Sequence, residues 1–157
     1  MKNPPILPVI IATGFGSGFS PIAPGTAGAA LACLIWWALL LCLPAQGLLV
    51  ATALLVVVFT IAGVWAANRL EPYWGEDPSR IVVDEMVGVW IPLLAADADN
   101  PGYAVAAFVL FRFFDILKPL GIRRMEALPG GIGVMMDDIL SGVYSLILIM
   151  GTRWLIG

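Results

Sequence analysis

The stretch LLVATALLVVVFTIAGVWAA, Leu48 to Ala67, contains no Asp, Glu, Lys or Arg. It has about the length, roughly 20 residues, that a helix needs to cross a hydrocarbon core. It is apolar on every side, as a helix surrounded by lipid or by other helices must be. A second apolar run, Ala29 to Leu43, precedes it and ends at Pro44. Pro44-Ala45-Gln46-Gly47 between them reads as a tight turn, so the two runs form a helical hairpin.

The same character extends outward. No Asp, Glu, Lys or Arg occurs from Asn3 to Asn68. Over the whole chain, hydrophobic residues make up 61% and charged residues 12%, against roughly 45–50% and about 25% in ordinary soluble domains. A chain of 157 residues cannot hide that much apolar surface in a single water-soluble core. Three more segments are apolar but carry charge: Ile81 to Ala96 with Asp84 and Glu85, Tyr103 to Leu117 with Arg112 and Asp115, and about Val134 to Leu155 with Asp137 and Asp138 near its start. Lys118-Pro119 ends the middle one, because the residue before proline is pushed out of the α region. Thr13 to Gly28, TGFGSGFSPIAPGTAG, reads as irregular backbone. Asn68 to Arg80, Asp97 to Gly102, and the stretch holding Arg123-Arg124 and Pro129 to Gly133 read as loops. The expected fold is an all-α integral membrane bundle of about four to five apolar helices with a Gly/Pro-rich N-terminal loop. It forms one domain over residues 1–157.

Composition also excludes functions. There is no histidine, which removes Ser-His-Asp hydrolases, phosphohistidine enzymes and histidine-ligated metals. Cys33 and Cys42 have no CxxC spacing and read as packed or lipid-facing side chains. The net charge is −3 and the basic residues form no run, so nucleic acid is not an expected partner. Lys2 is followed by Pro4, Pro5 and Pro8, which break the helical core of a cleavable leader. Arg69 and Arg80 flank one loop, and Lys118, Arg123 and Arg124 lie in another. If the two segments between these loops both cross, both loops face the cytoplasm by the positive-inside rule.

The charges inside apolar helices carry the chemistry. Each costs about 2.5–3.5 kcal/mol at a helix centre. Ion pairing absorbs Arg112 with Asp115, three apart on one face. It does not absorb Asp84, Glu85, Asp137 and Asp138, near which only Lys118 falls in the pattern. Surplus carboxylates in a confined space repel, and a divalent cation relieves that. Oxygen donors without histidine or cysteine favour magnesium or manganese over zinc. Adjacent acids differ by about 100° around a helix, so one member of each pair is expected to ligate and the other to act as base or hydrogen-bond a ligand. Arg112, Asp115 and Lys118 share one broad face, a mixture that suits a metal beside a phosphate. Ser17, Ser20, Thr26 and the glycine amides of Gly14 to Thr26 can cradle a phosphate before the first span, although the GxxxxGK[ST] pattern is absent and a flexible re-entrant linker is the alternative reading. Asp97-Ala98-Asp99 is set aside as a haloacid dehalogenase-like motif, because Pro101 stands in the Thr/Val place. Cys42 lacks the arginine that would complete a cysteine-phosphatase loop.

Four segments, GFGSGFSPIAPGT (Gly14–Thr26), IVVDEMVGVWI (Ile81–Ile91), FRFFDILKP (Phe111–Pro119) and GGIGVMMDDILSG (Gly130–Gly142), together resemble the phosphatidylglycerophosphatase A family. The match runs in order over nearly the whole chain. Leu120-Gly121 stand where that family more usually has Trp-Pro. The resemblance implies a magnesium-dependent enzyme of the bacterial inner membrane. Its substrate would be phosphatidylglycerophosphate, which loses its terminal phosphate to give phosphatidylglycerol. The metal ligands would be Asp84, Glu85, Asp115, Asp137 and Asp138, binding one or two Mg²⁺ ions. Arg112 and Lys118 would stabilise the transferring phosphoryl group, so the catalytic set is Asp84, Glu85, Arg112, Asp115, Lys118 and Asp138. The expected partners are this phospholipid and the bilayer, and a homo-oligomer is compatible with the sequence. Two other classes are weighed against this one. A non-enzymatic bundle with an acidic cation path would release no phosphate, and a CDP-alcohol phosphotransferase needs a DGxxAR…GxxxDxxxD pattern that is absent.

Overall fold

The computed structural model describes residues 3–76, 78–97 and 99–156. Lys2 and Ala98, which the sequence reading touches, lie outside them. Among the described residues the chain is entirely helical: α1 Ile6–Ala12, α2 Pro24–Cys42, α3 Ala45–Trp74, α4 Val83–Leu93, α5 Gly102–Leu117 and α6 Gly130–Ile156. Short 3₁₀ turns lie at Ser17–Phe19 and Ile122–Ala127.

Three helices, α2, α3 and α6, are long and apolar enough to cross a membrane. Their outer faces leave large apolar side chains uncovered, among them Leu34, Leu54, Val58, Ile61 and Ile147, and lipid is the solvent that suits them. The expected hairpin is present, turned at Pro44. The other two apolar segments differ from spans. Helix α4 has 11 residues, about 16 Å at 1.5 Å per residue, roughly half a hydrocarbon core. It is the centre of the bundle, packed by α2, α3, α5 and α6, and every residue except Glu85 is buried. Its apolar surface on all sides reflects burial by protein rather than by lipid.

Other boundaries also moved. Asn68 to Arg80 was expected as loop, but α3 runs on to Trp74. The polar residues there are compatible with helix. Leu70 is fully buried, and the Arg69 guanidinium lies 6.0 Å from the ring of Trp65, one turn back. Gly75, at φ +80, ends the helix, with its N–H donating to Glu71 O. The glycine run at Gly130 to Gly133 is not loop but the first turn of α6. Its glycines are needed for contact: a Cβ at Gly131 would strike the backbone of Val64, and one at Gly133 the carbonyl of Leu128. Asn68 reaches across from α3, and its Oδ1 accepts from the Gly131 N–H at 2.6 Å. That bond satisfies one of the free amides at the start of α6. The N-terminal loop is shorter than expected, because α2 begins at Pro24, inside the expected loop.

The chain reverses so that the starts of α2, α4 and α6 and the ends of α3 and α5 gather at one end. The polar clusters therefore meet there. At the opposite end Arg153 pairs with Asp97 at 2.6 Å, stands over the ring of Tyr103 at 5.1 Å and donates to Ala95 O. Arg69 near the end of α3, Arg80 after it, and Lys118, Arg123 and Arg124 after α5 all lie at the acidic end.

Candidate active site

Glycine decides how closely the acids approach. Gly88 is one turn beyond Asp84 on α4, and Gly142 is one turn beyond Asp138 on α6. A Cβ on Gly142 would strike the carbonyl of Gly88, and a Cβ on Gly88 would strike the ring of Phe111 and lie 3.0 Å from Asp138 O. The two backbones touch at this crossing because neither residue has a side chain, as in small-residue contacts between membrane helices. Asp84 and Asp138 are brought together as a consequence.

Asp138, Asp137, Asp84 and Asp115 are 1%, 4%, 5% and 8% exposed. Their carboxylates form two overlapping groups. Oxygens of Asp84, Glu85 and Asp138 lie within 4.8 Å of one another, and so do oxygens of Asp115, Asp137 and Asp138. Asp84 and Glu85 also stand in the first turn of α4, where the helix dipole favours negative charge. The two adjacent pairs are disposed differently. Helix α6 packs against both α4 and α5. The 100° offset lets Asp138 join the α4 acids while Asp137 meets Lys118 at the end of α5. Asp84 and Glu85 both enter the same group, the longer Glu side chain closing the angle.

The cations come from α5. Arg112 Nη1 donates to Asp115 Oδ2. Lys118 Nζ lies 2.6 Å from Asp137 Oδ2, 3.6 Å from Asp115 Oδ1 and 3.4 Å from Glu126 Oε1. Burial opposes the Lys118 charge, but the hydrogen bond to Asp137 and the charges of Asp137, Asp138 and Asp115 outweigh it and hold its pKa above the usual lysine value. Both cationic side chains keep 17% exposure and form the rim of an otherwise closed cluster.

The buried polar atoms that no protein group satisfies are concentrated here: Asp84 Oδ1, Glu85 Oε2, Asp137 Oδ1, Asp138 Oδ1 and Arg112 Nε. A buried unpaired carboxylate oxygen costs several kcal/mol in principle, so four in one cluster call for a cation. The donor set is all oxygen and hard, which fits Mg²⁺ or Mn²⁺. The residues present therefore fit a divalent metal.

The hydroxyl candidates are less concentrated. Ser17 Oγ donates to the carbonyls of Thr13 and Gly14, and Ser20 Oγ to that of Ile22. Both are spent on their own loop, which packs through Gly18 against Arg80 O. The start of α2 does reach the acids. A Cβ on Gly25 would lie 2.9 Å from Glu85 Oε1 and 3.3 Å from Arg112 Nη1. Thr26 follows in that same first turn, which no side chain caps and which holds no acid.

The sequence profile described as phosphatidylglycerophosphatase A matches residues 10–153, and with them every candidate residue above. The chain belongs to the phosphatidylglycerophosphatase A family. Two proteins named phosphatidylglycerophosphatase A are 38% identical to it. The one from Escherichia coli covers 94% of this chain and 86% of its own length, and the one from Haemophilus influenzae 92% and 88%. A Bacteroides thetaiotaomicron protein, provisionally named as a phosphatidylinositol-3-phosphatase, is 67% identical over 100% of both chains. No solved structure matches.

Within this family member, sequence reasoning missed one acid and the close-packing role of three glycines. Glu126, in the Ile122–Ala127 turn, completes the ring of acids around Lys118. Gly25, Gly88 and Gly142 set how closely backbones approach. Glu126 sits beside Arg123-Arg124 and reads as a surface charge, and a glycine in an apolar helix gives no sign of which helix it touches.

Proposed function

We propose that this chain is a magnesium-dependent lipid phosphatase that removes the terminal phosphomonoester of phosphatidylglycerophosphate, yielding phosphatidylglycerol and phosphate. The observation that carries the reading is the cluster of five carboxylates, four of them with an unsatisfied buried oxygen, rimmed by Arg112 and Lys118, in a chain of this family. The chain works as one membrane-embedded domain of the bacterial inner membrane. The end that bears the cluster also bears Arg69, Arg80, Arg123 and Arg124, so by the positive-inside rule the site lies near the cytoplasmic face.

Asp84, Glu85, Asp115, Asp137 and Asp138 are the residues that would hold metal. A bound Mg²⁺ supplies Lewis acidity and lowers the pKa of a water. The protein's own groups do the rest. Arg112, anchored by Asp115, offers a planar fork with its Nε still free, suited to two phosphoryl oxygens. Lys118 has its outermost bond to the exposed Glu126, and a phosphate oxygen can replace that partner. The first-turn amides of α2 at Gly25 and Thr26 present a partial positive charge beside Arg112. In hydrolysis the water oxygen bonds to phosphorus, the phosphorus–oxygen bond to glycerol breaks, and the glycerol oxygen takes up a proton. The acyl chains stay in the bilayer and only the headgroup reaches the rim.

The Bacteroides relative's name favours a second substrate reading, a phosphomonoester on the inositol ring of a phospholipid. The same rim would bind either phosphate. Phosphate release by the purified chain, with and without Mg²⁺, is measured on phosphatidylglycerophosphate and on phosphatidylinositol 3-phosphate in matched micelles. A higher kcat/KM on the glycerol lipid is expected. Preference for the inositol lipid would shift the assignment, and release from neither would overturn it.

A further inference from the structure

The two carboxylate groups share Asp138 but differ in what already balances them. Asp84 Oδ1, Glu85 Oε2 and Asp138 Oδ1 have no partner. Among the described residues no Lys or Arg ion pair reaches Asp84, Glu85 or Asp138. Asp115 has no such vacancy, because Oδ2 faces Arg112 and Oδ1 faces Lys118. Asp137 gives Oδ2 to Lys118 and keeps Oδ1 without a partner, so Asp115 and Asp137 together hold one vacancy against three in the other group.

We propose that in the substrate-free protein the cluster binds one divalent cation, at Asp84, Glu85 and Asp138, while the Lys118 ammonium fills the Asp115–Asp137 group as a cation built into the chain. The proposal rests on the metal-dependent reading above and narrows its five candidate ligands to three, because Asp115 and Asp137 already face Arg112 and Lys118. An ammonium has three donors, and Lys118 Nζ faces three carboxylates, at 2.6, 3.4 and 3.6 Å. A second divalent ion would sit about 3.5–4 Å from the first, among the same oxygens that Lys118 engages. The two cations exclude each other by volume and by charge. The backbone holds the lysine in place. Lys118 closes α5 in the left-handed region, at φ 51 and ψ 52, its N–H donating to Phe114 O, and Pro119 follows. That conformation is strained for a residue with a side chain. The ion pairs beneath it are the compensation the structure offers.

The test is a Mn²⁺ titration of the full-length chain in detergent, without phosphate, read by electron paramagnetic resonance. Wild type is expected to bind one Mn²⁺ with the signal of an isolated ion. Lys118→Met, which keeps length and removes charge, is expected to bind a second, with the signal of a coupled pair. Asp84→Asn is expected to lose the single site and Asp115→Asn to retain it. Two ions in wild type, one ion in both wild type and Lys118→Met, or loss in Asp115→Asn with retention in Asp84→Asn would each overturn the proposal. Should Lys118→Met fail to fold, the wild-type stoichiometry and the two Asn variants decide. No Mn²⁺ binding to wild type would overturn the metal-dependent reading as well, whereas two ions would overturn this inference alone.

Discussion

Replacing Gly142 by Ala adds one methyl where α6 crosses α4. That Cβ would lie 3.1 Å from Cβ and Cδ1 of Ile91 and closer still to the Gly88 carbonyl. Carbon contacts are most favourable at about 3.5–4.0 Å, so relief requires the helices to part by about 1 Å. A backbone carbonyl cannot swing aside as a side chain can. Overpacking of this kind costs about 1–3 kcal/mol, offset by up to about 1 kcal/mol from alanine's better helix propensity. The fall in Tm is therefore small. Asp138 is one turn away, about 5.4 Å along the same helix, and is carried outward with it. Metal sites tolerate distance errors of about 0.2 Å, and a misplacement of about 1 Å can cost ~10²-fold in rate. Gly142→Ala should therefore lose about 10²-fold in kcat/KM for phosphate release while remaining folded. Gly151→Ala is the control on the same helix: nothing lies within 4 Å of its Cβ, and activity should be unchanged. Phosphate release and thermal unfolding are measured on both purified proteins. If Gly142→Ala works within a few-fold of wild type, close approach of α4 and α6 is not what positions the acids. If it loses activity only in proportion to unfolding, the effect is on stability alone.

Three further outcomes are expected. EDTA should abolish phosphate release, with Mg²⁺ restoring it and Ca²⁺, larger and looser in geometry, failing to do so; full activity in EDTA would refute metal dependence. Asp84→Asn, Asp115→Asn and Asp138→Asn should each lower turnover by at least ~10²-fold in protein that still folds, and variants that stay active but melt earlier would make the cluster a structural ion-pair network. Arg112→Lys keeps the charge but loses the planar fork, so kcat/KM should fall by ~10–10³-fold. Unchanged release in both Arg112→Lys and Arg112→Gln, with ion flux rising in liposomes, would favour a cation path over a phosphatase.

The membrane character was legible because lipid demands long uncharged runs, and Leu48 to Ala67 is one. So was the presence of acids inside the apolar helices, though Glu126 in the turn after α5 was not. Charge inside apolar helices is costly enough to be kept for a purpose, and Arg112, three before Asp115 on one helix, follows from local geometry alone. The end of α5 at Lys118-Pro119 was equally local. Residues whose role depends on a distant neighbour could not be read in this way. Helix α4 looks like a span in sequence, because burial by protein and burial by lipid select the same apolar side chains; only its length and the four helices around it distinguish them. Asn68 reads as the start of a loop, yet it caps α6 from across the bundle. Asp137 and Asp138 are indistinguishable as neighbours in sequence. Only the packing of α6 against both α4 and α5 sends one to Lys118 and the other to Asp84. The gaps that allow this are glycines, and the absence of a side chain acquires meaning only when a second backbone is there to fill the space.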